Sequence, residues 1–372
     1  MTTQTPPRAP VPGPTLEEVA ALAGVSSSTV SRVINGSPQV TERAVARVND
    51  AIAKLGYVPN RAARSLVRRR TQTLAMMIPE RTAEFFADPY FAEVIQGAAM
   101  YASSSDYSLT LLIESEQDPG KTHQFLRRGN VDGALILSHH SASSAYLELS
   151  RTLPVVFGVR PPDQGDDDGH PGDADGHPGG ADGHLGGTDG HGVGAGVHSV
   201  DVDNVAAAAL ATRHLVDRGR RRIATITGPL DTSAGRERLQ GWRETLAAAG
   251  LEPGAYAEGD YTPAGGAAAA ERLLAGGSAF DALFVASAQM ASGALPVLKA
   301  HGLQVPGDVA VATLDNNVFS TNSSPRLTTV DLHTAEKGAT MVATLIRLIE
   351  GERIEAETLI PIDLIERESS AP

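Results

Sequence analysis

The 372-residue chain contains no cysteine. That excludes a disulfide framework and every thiolate metal site, and it fits a reducing cytoplasmic compartment. No stretch approaches the roughly 18 apolar residues of a membrane span. Met1 to Pro14 holds five prolines and no apolar core of the secretory kind, so it reads as a disordered tail. The sequence also lacks a P-loop, a Gly-x-Ser-x-Gly nucleophile motif and a metal-ligand pair at helical spacing. The expectation is a non-enzyme without a cofactor.

Charge is present but unevenly spread. The formal net charge of −13 speaks against a nucleic-acid partner when taken whole. Residues 1–72, however, hold ten Lys/Arg against four acids, a balance of +6, whereas residues 161–200 carry −8 and the remainder −11. A basic head on an acidic body is the asymmetry expected of a DNA-binding module joined to a different domain.

The basic head, residues 15–59, predicts three helices. Thr15 can cap a helix over 16–23, with Glu18 completing a capping box and Leu16, Val19, Ala20 and Ala23 on one face. Gly24 ends it. Ser26 caps a second helix over 27–34, with Val30, Val33 and Ile34 inward, and a third spans 42–55 with the stripe Val45, Val48, Ile52 and Leu55. Two short helices joined by a tight glycine turn read as helix-turn-helix. Ser27, Ser28, Thr29, Ser31 and Arg32 give the second helix a polar face suited to phosphates and base edges. Small three-helix domains in general show such apolar stripes, but not this polar face.

The pattern Leu16-x-x-Val19-Ala20-x-x-Ala23-Gly24-Val25-Ser26-x-x-Thr29-Val30-Ser31-Arg32-Val33-x-Asn35 resembles the headpiece of the lactose-repressor family of bacterial transcription regulators. Gly56-Tyr57-x-Pro59-Asn60-x-x-Ala63-Arg64-x-Leu66 is similar to that family's hinge, here residues 60–72. The resemblance implies a homodimer that binds a pseudo-palindromic double-stranded DNA operator. It places Thr15, Ser26, Thr29, Ser31, Asn35, Tyr57, Asn60, Arg61, Ala63 and Arg64 among the DNA contacts, with Ser27, Ser28 and Arg32 reading bases. It also implies that Leu66 wedges into the minor groove from a hinge helix that forms on the operator.

From Leu74 onward, apolar runs at 74–78, 108–113, 133–137 and 155–157 predict strands, with helical patterns at 89–104, 118–129 and 141–152. A second set of strands follows at 222–227, 282–285 and 309–314. The alternation predicts an α/β body of two lobes with parallel sheets over 73–362, the periplasmic-binding-protein-like type I architecture in the family's terms. One lobe is expected to comprise 73–160 plus about 292–330, the other about 201–291 plus the C-terminal part. Ligands in such sheets bind beyond the carboxyl ends of strands. The residues there, Tyr90, Phe91, Asp231, Arg238, Ser287, Gln289 and Asp315, are candidate effector contacts.

Arg238-Leu-x-Gly241-Trp242 and Asp315 match the family's effector-binding positions, which implies a small-molecule effector of the carbohydrate class. Trp242, the single tryptophan, is then expected to report binding by fluorescence. Ser287-Ala288-Gln289 replaces the usual Asn-Asp-Gln, while Val159 and Leu332 stand where an aspartate and a glutamine are common. A pocket less polar than usual is expected.

Residues 161–200 break the pattern. Asp-Gly-His recurs every seven residues, ending at His170, His177, His184 and His191, with His198 on the next step. The tract holds thirteen of the 38 glycines. This composition cannot bury a core and reads as a disordered insert. The four repeat histidines are weak candidate metal ligands, since a flexible seven-residue spacing preorganises no site.

Overall fold

A computed structural model describes residues 14–34, 37–57, 70–79, 82–113, 119–137, 144–160, 197–277 and 279–371, apart from the side chains of residues 83, 84, 119, 144 and 145. Two compact units divide the chain at Thr71.

The first unit is the three-helix headpiece: α1 (Leu16–Ala23), α2 (Ser27–Ile34) and α3 (Glu42–Leu55). The capping box is formed as the sequence predicts. Thr15 Oγ1 accepts from the Glu18 amide at 3.3 Å, and Glu18 Oε2 accepts from the Thr15 amide at 2.8 Å. Gly24 ends α1 in the left-handed region at φ +62°. The Arg47 guanidinium donates to the carbonyls of Ala23 and Gly24, placing a cation on the carbonyl end of α1. Val19, Ala20, Ala23, Val30, Val48, Ala51 and Tyr57 form the core.

The second unit holds two six-stranded sheets. The first has the order β11-β5-β4-β3-β1-β2, formed by β1 (Thr73–Ile78), β2 (Ser108–Ile113), β3 (Gly133–Ile136), β4 (Val155–Phe157), β5 (His198–Val202) and β11 (Glu357–Ile360). Every pairing in it is parallel. The second has the order β12-β10-β9-β8-β6-β7, from β6 (Ile223–Thr227), β7 (Tyr256–Glu258), β8 (Ala282–Val285), β9 (Ala310–Leu314), β10 (Thr328–Asp331) and β12 (Asp363–Ile365). Only β12 runs antiparallel, against β10.

Helices α4 (Thr82–Ala87), α5 (Pro89–Ser103), α6 (Pro119–Arg127), α7 (Ser144–Leu149) and α13 (Thr334–Glu350) accompany the first sheet. Helices α8 (Asn204–Asp217), α9 (Ser233–Ala248), α10 (Pro263–Ala275), α11 (Ala288–Ala300) and α12 (Val318–Asn322) accompany the second.

The division of the lobes differs from the sequence expectation. Residues 292–330 stay in the second lobe, because β9 pairs with β8 (Ala282 opposite Ala310) and β10 with β9. The chain returns to the first lobe only beyond Asp331, through α13. The insert is also shorter than 161–200, since His198 to Val202 form a strand. His198 lies there with its ring 3.0 Å from the Glu355 carbonyl. The four repeat histidines lie outside the described residues, as do Asn35, Asn60, Arg61, Ala63, Arg64 and Leu66.

Two glycines set where α13 lies. A Cβ on Gly97 would sit 1.7 Å from the Ala335 carbonyl, and one on Gly338 would sit 2.0 Å from that of Val94. Helices α5 and α13 therefore cross with backbones in contact, which fixes the depth of Lys337 beside Gly338.

Candidate functional site

In the headpiece, Ser28 and Arg32 are exposed on α2, one helical turn apart. Ser27, Thr29 and Ser31 are half-buried beside them, while Val30 faces the core. The Ser26 hydroxyl accepts from the Thr29 amide at 3.2 Å and lies 2.8 Å from that of Ser28, so it holds the helix start. Thr15 is exposed but occupied in the capping box. Tyr57 departs from the expectation of an open DNA contact. It is 9 % exposed and packs in the headpiece core, because it follows the α3 glycine cap and folds back beneath that helix.

In the second unit, a narrow cleft opens between the carboxyl ends of the two sheets. Its lining follows strand after strand. Asp88 and Tyr90 come after β1, Val159 after β4, Asp201 and Val202 from the end of β5, and Asn204 from the start of α8. Arg238 follows β6, Tyr261 follows β7, Ser287 and Gln289 follow β8, Asp315 follows β9, and Leu332, Thr334 and Lys337 follow β10.

Arg238 donates through Nε to Asn204 Oδ1 at 2.9 Å and through Nη1 to the Ala286 carbonyl at 2.8 Å. Its guanidinium lies 5.9 Å from the Tyr261 ring centroid. Gln289 Nε2 reaches across the lobes to Asp88 Oδ1 at 2.7 Å. Ser287 caps α11 by accepting from the Met290 amide at 3.3 Å. Asp315 adopts a left-handed φ of 74°, which a short acidic side chain tolerates better than most. Lys337 Nζ donates to Asp201 Oδ1 at 2.8 Å and sits 5.3 Å from the Tyr90 ring centroid. Burial alone would lower the Lys337 ammonium, but the Asp201 carboxylate and the Tyr90 hydroxyl outweigh it and hold it above its ordinary range. Burial pushes the Tyr90 phenol up, against the pull of Lys337.

Five sequence candidates, Tyr90, Arg238, Ser287, Gln289 and Asp315, meet in this cleft. Three do not. Phe91, the next residue on α5 after Tyr90, turns into the core and packs 5.4 Å from Phe85. Trp242 lies one turn beyond Arg238 but is fully buried in the apolar core and does not line the cleft. Gly241 beside it lets α9 approach α8, where a Cβ would sit 2.2 Å from the Val205 carbonyl. Asp231 is exposed ahead of α9 and does not line the cleft.

Val159 and Leu332 do supply apolar wall, yet the cleft is not poor in polar groups. Asp88, Asp201, Asn204, Thr334 and Lys337 supply what those substitutions remove. None was found from sequence. Asp201 and Asn204 were masked by the repeat tract, Tyr261 by the three-residue strand before it, and Lys337 by a reach that depends on lobe crossing.

Glu93, on α5, is the most perturbed carboxyl here. Burial, with the carboxylates of Asp315, Asp331 and Asp88, pushes it up to about 7, against a hydrogen bond from Thr334 that lowers it. Its ordinary value is 4.5, so the neutral form belongs to the fold. The stability it contributes is complete below about pH 4.5 and is lost as pH rises through about 7. Glu93→Gln should therefore raise the melting temperature at pH 8 and change it little at pH 5. Equal shifts at both pH values in thermal unfolding would contradict this origin.

His214 Nε2 lies 2.7 Å from Ser370 Oγ, and its Nδ1 lies 3.7 Å from Glu366 Oε1, an order that resembles a nucleophilic triad. Ser370 is 2 % exposed and its hydroxyl also meets Thr328 at 2.6 Å, so substrate has no access. The arrangement pins the C-terminal segment to the second sheet. Among the described residues no group of three or more His, Asp or Glu side chains is placed to hold a metal ion.

A helix-turn-helix surface and a polar cleft between α/β lobes on one polypeptide define a ligand-responsive DNA-binding regulator. Residues 15–60 match the lacI family of bacterial regulatory proteins, and residues 212–370 match the periplasmic binding protein-like domain. The HTH-type transcriptional regulator CelR of Thermobifida fusca is 40 % identical over 358 residues, covering 93 % of this chain and 95 % of the relative. The ribose operon repressor of Escherichia coli K12 is 33 % identical, covering 96 % and 99 %.

Among solved structures, a CelR–cellobiose complex is similar at TM-score 0.68 and 36 % identity, covering 96 % of this chain and all of that one. A lac repressor dimer bound to operator and the anti-inducer ONPF is similar at TM-score 0.78 and 25 % identity, covering 97 % and all of it. The chain belongs to the lacI family and is a DNA-binding transcriptional regulator.

Proposed function

We propose that the protein is a homodimeric cytoplasmic repressor whose grip on a pseudo-palindromic operator is set by an uncharged carbohydrate held between the two lobes. The observation that carries this reading is the cleft itself, which draws hydrogen-bonding side chains from both lobes. Its titratable lining sums to −1, from Asp88, Asp201 and Asp315 against Arg238 and Lys337. Both cations are engaged, Lys337 on Asp201 and Arg238 on Asn204 and Ala286. A polyhydroxylated neutral ligand offers donors to the carboxylates and acceptors to the cations, whereas an anion meets an opposing field.

Tyr90, Arg238, Ser287, Gln289 and Asp315 would hold the sugar. A ligand that spans the lobes and bonds better in one degree of closure shifts that equilibrium. Linkage carries the shift to the operator, typically 5- to 150-fold in affinity. Ser27, Ser28 and Arg32 would read bases.

The test is calorimetric titration of the full chain with cellobiose, D-glucose and D-ribose. It is paired with operator binding in the presence of each, using DNA recovered with the protein from its own genome. Binding of one sugar, with a change in operator affinity of about fivefold or more, supports the proposal. No sugar binding, or binding that leaves the operator affinity unmoved, overturns it.

A further inference from the structure

We propose that Lys337 is the specificity-determining residue of the cleft: held by Asp201 and Tyr90, its ammonium donates to one particular oxygen of the bound sugar. This rests on the carbohydrate reading above and goes beyond it by assigning the selection to one buried group.

Three observations carry it. First, Lys337 lines the cleft yet is only 4 % exposed, and Asp201 beside it is 6 % exposed. A buried ion pair is weak evidence for stability, because both charges give up hydration that their mutual attraction hardly recovers. Apolar residues of similar size would serve the fold equally well. Second, an ammonium has three protons to donate. One goes to Asp201 Oδ1 at 2.8 Å and one to the Tyr90 hydroxyl. The third finds no acceptor among the described residues. Third, the ammonium is fixed. Asp201 comes from β5, Tyr90 from α5, and the Gly97–Gly338 crossing sets the depth of α13. A lysine ordinarily roams on a four-carbon stem, but this one is preorganised, so little freedom is lost when a ligand oxygen meets it.

A charged, desolvated donor left over at a cleft wall discriminates strongly. A sugar with an oxygen at that point satisfies it, and one without leaves it unpaired. Thr334 lies on the first turn of the same helix, and Leu332, just ahead of it, adds an apolar side chain to the cleft lining.

The test compares the wild-type chain with the double variant Lys337→Met/Asp201→Asn, which removes both charges and leaves no buried carboxylate uncompensated. Each is titrated by calorimetry with whichever of cellobiose, D-glucose and D-ribose binds the wild type, and with the single-deoxy derivatives of that sugar. Thermal unfolding establishes that both chains fold. In the wild type, one deoxy derivative should bind roughly 10- to 150-fold more weakly than the parent sugar. In the double variant the parent sugar should fall by a similar factor, and loss of that same hydroxyl should cost nothing further. A double variant that keeps the wild-type ranking of every derivative overturns the assignment while leaving the carbohydrate reading intact. A wild type that binds none of the three sugars overturns both. If the double variant does not fold, Lys337→Arg decides: it moves the donor, so an unchanged ranking overturns the assignment and an altered one supports it.

Discussion

Arg32→Ala is expected to weaken operator binding by about 5- to 150-fold per half-site while lowering affinity for random DNA far less. A guanidinium can bond O6 and N7 of one guanine together, and that pair of bonds exists only on the correct sequence. On random DNA the same charge contributes one phosphate-like contact, which salt screens. The substitution leaves the fold alone, since Arg32 is exposed while Val30 carries the packing of α2. Anisotropy titrations at one fixed salt concentration, with operator and scrambled duplexes, measure the difference. Equal losses on the two duplexes would end the base-reading assignment.

The second large effect is at Arg238. Arg238→Ala should weaken sugar binding by more than about 100-fold, because hydrogen bonds to a charged group contribute roughly 1.5–3 kcal/mol each. Part of the loss is indirect. Asn204 would lose the donor that orients it, keeping only its bond to Glu237 at 3.1 Å. Arg238→Lys should recover little, since an ammonium cannot reach Asn204 and the Ala286 carbonyl from one planar fork. Sugar-dependent release of DNA is the readout, with thermal unfolding as the control for folding. A variant that responds at wild-type sugar concentrations would remove Arg238 from the site.

What the sequence disclosed follows the range of the interactions involved. The headpiece helices were legible to the residue, because their ends are set by contacts within one turn: Thr15 with Glu18, Gly24 after α1, Thr41 and Gly56 around α3. Strands covered on both faces, such as β1, β6 and β8, declare themselves as apolar runs. His198 to Val202 opens on two polar residues and abuts the repeat tract, so the sequence reading puts its first three residues in the insert. β7, β11 and β12 are too short to show a period.

In the cleft, the residues found all follow a legible strand, though Asp88 beside Tyr90 was missed, and those arriving by a return between lobes were not found. Asp201 and Lys337 lie 136 positions apart in the chain and meet only because α13 comes back to the first lobe. Helix phase separates Tyr90 from Phe91, and no run of letters marks which of two adjacent aromatics will face inward.

The register of β4 and β5 has a consequence for how this protein can change. Val156 lies opposite His198 and Phe157 opposite Ser199 in parallel, so the chain leaves the carboxyl end of one strand and must return to the amino end of its neighbour. A parallel return sets a minimum length of about a dozen residues, and beyond that minimum nothing in the sheet prescribes how long the connection is. Its closure entropy grows only logarithmically, about 0.6 kcal/mol for each doubling. Both banks are moored to the same stretch of chain, Arg160 on Glu357 and His198 on the Glu355 carbonyl. The sheet thus offers a port at which a cargo of arbitrary sequence can be loaded or unloaded. The Asp-Gly-His tract is one such cargo, and a fluorescent domain spliced between Arg160 and Val197 would be another.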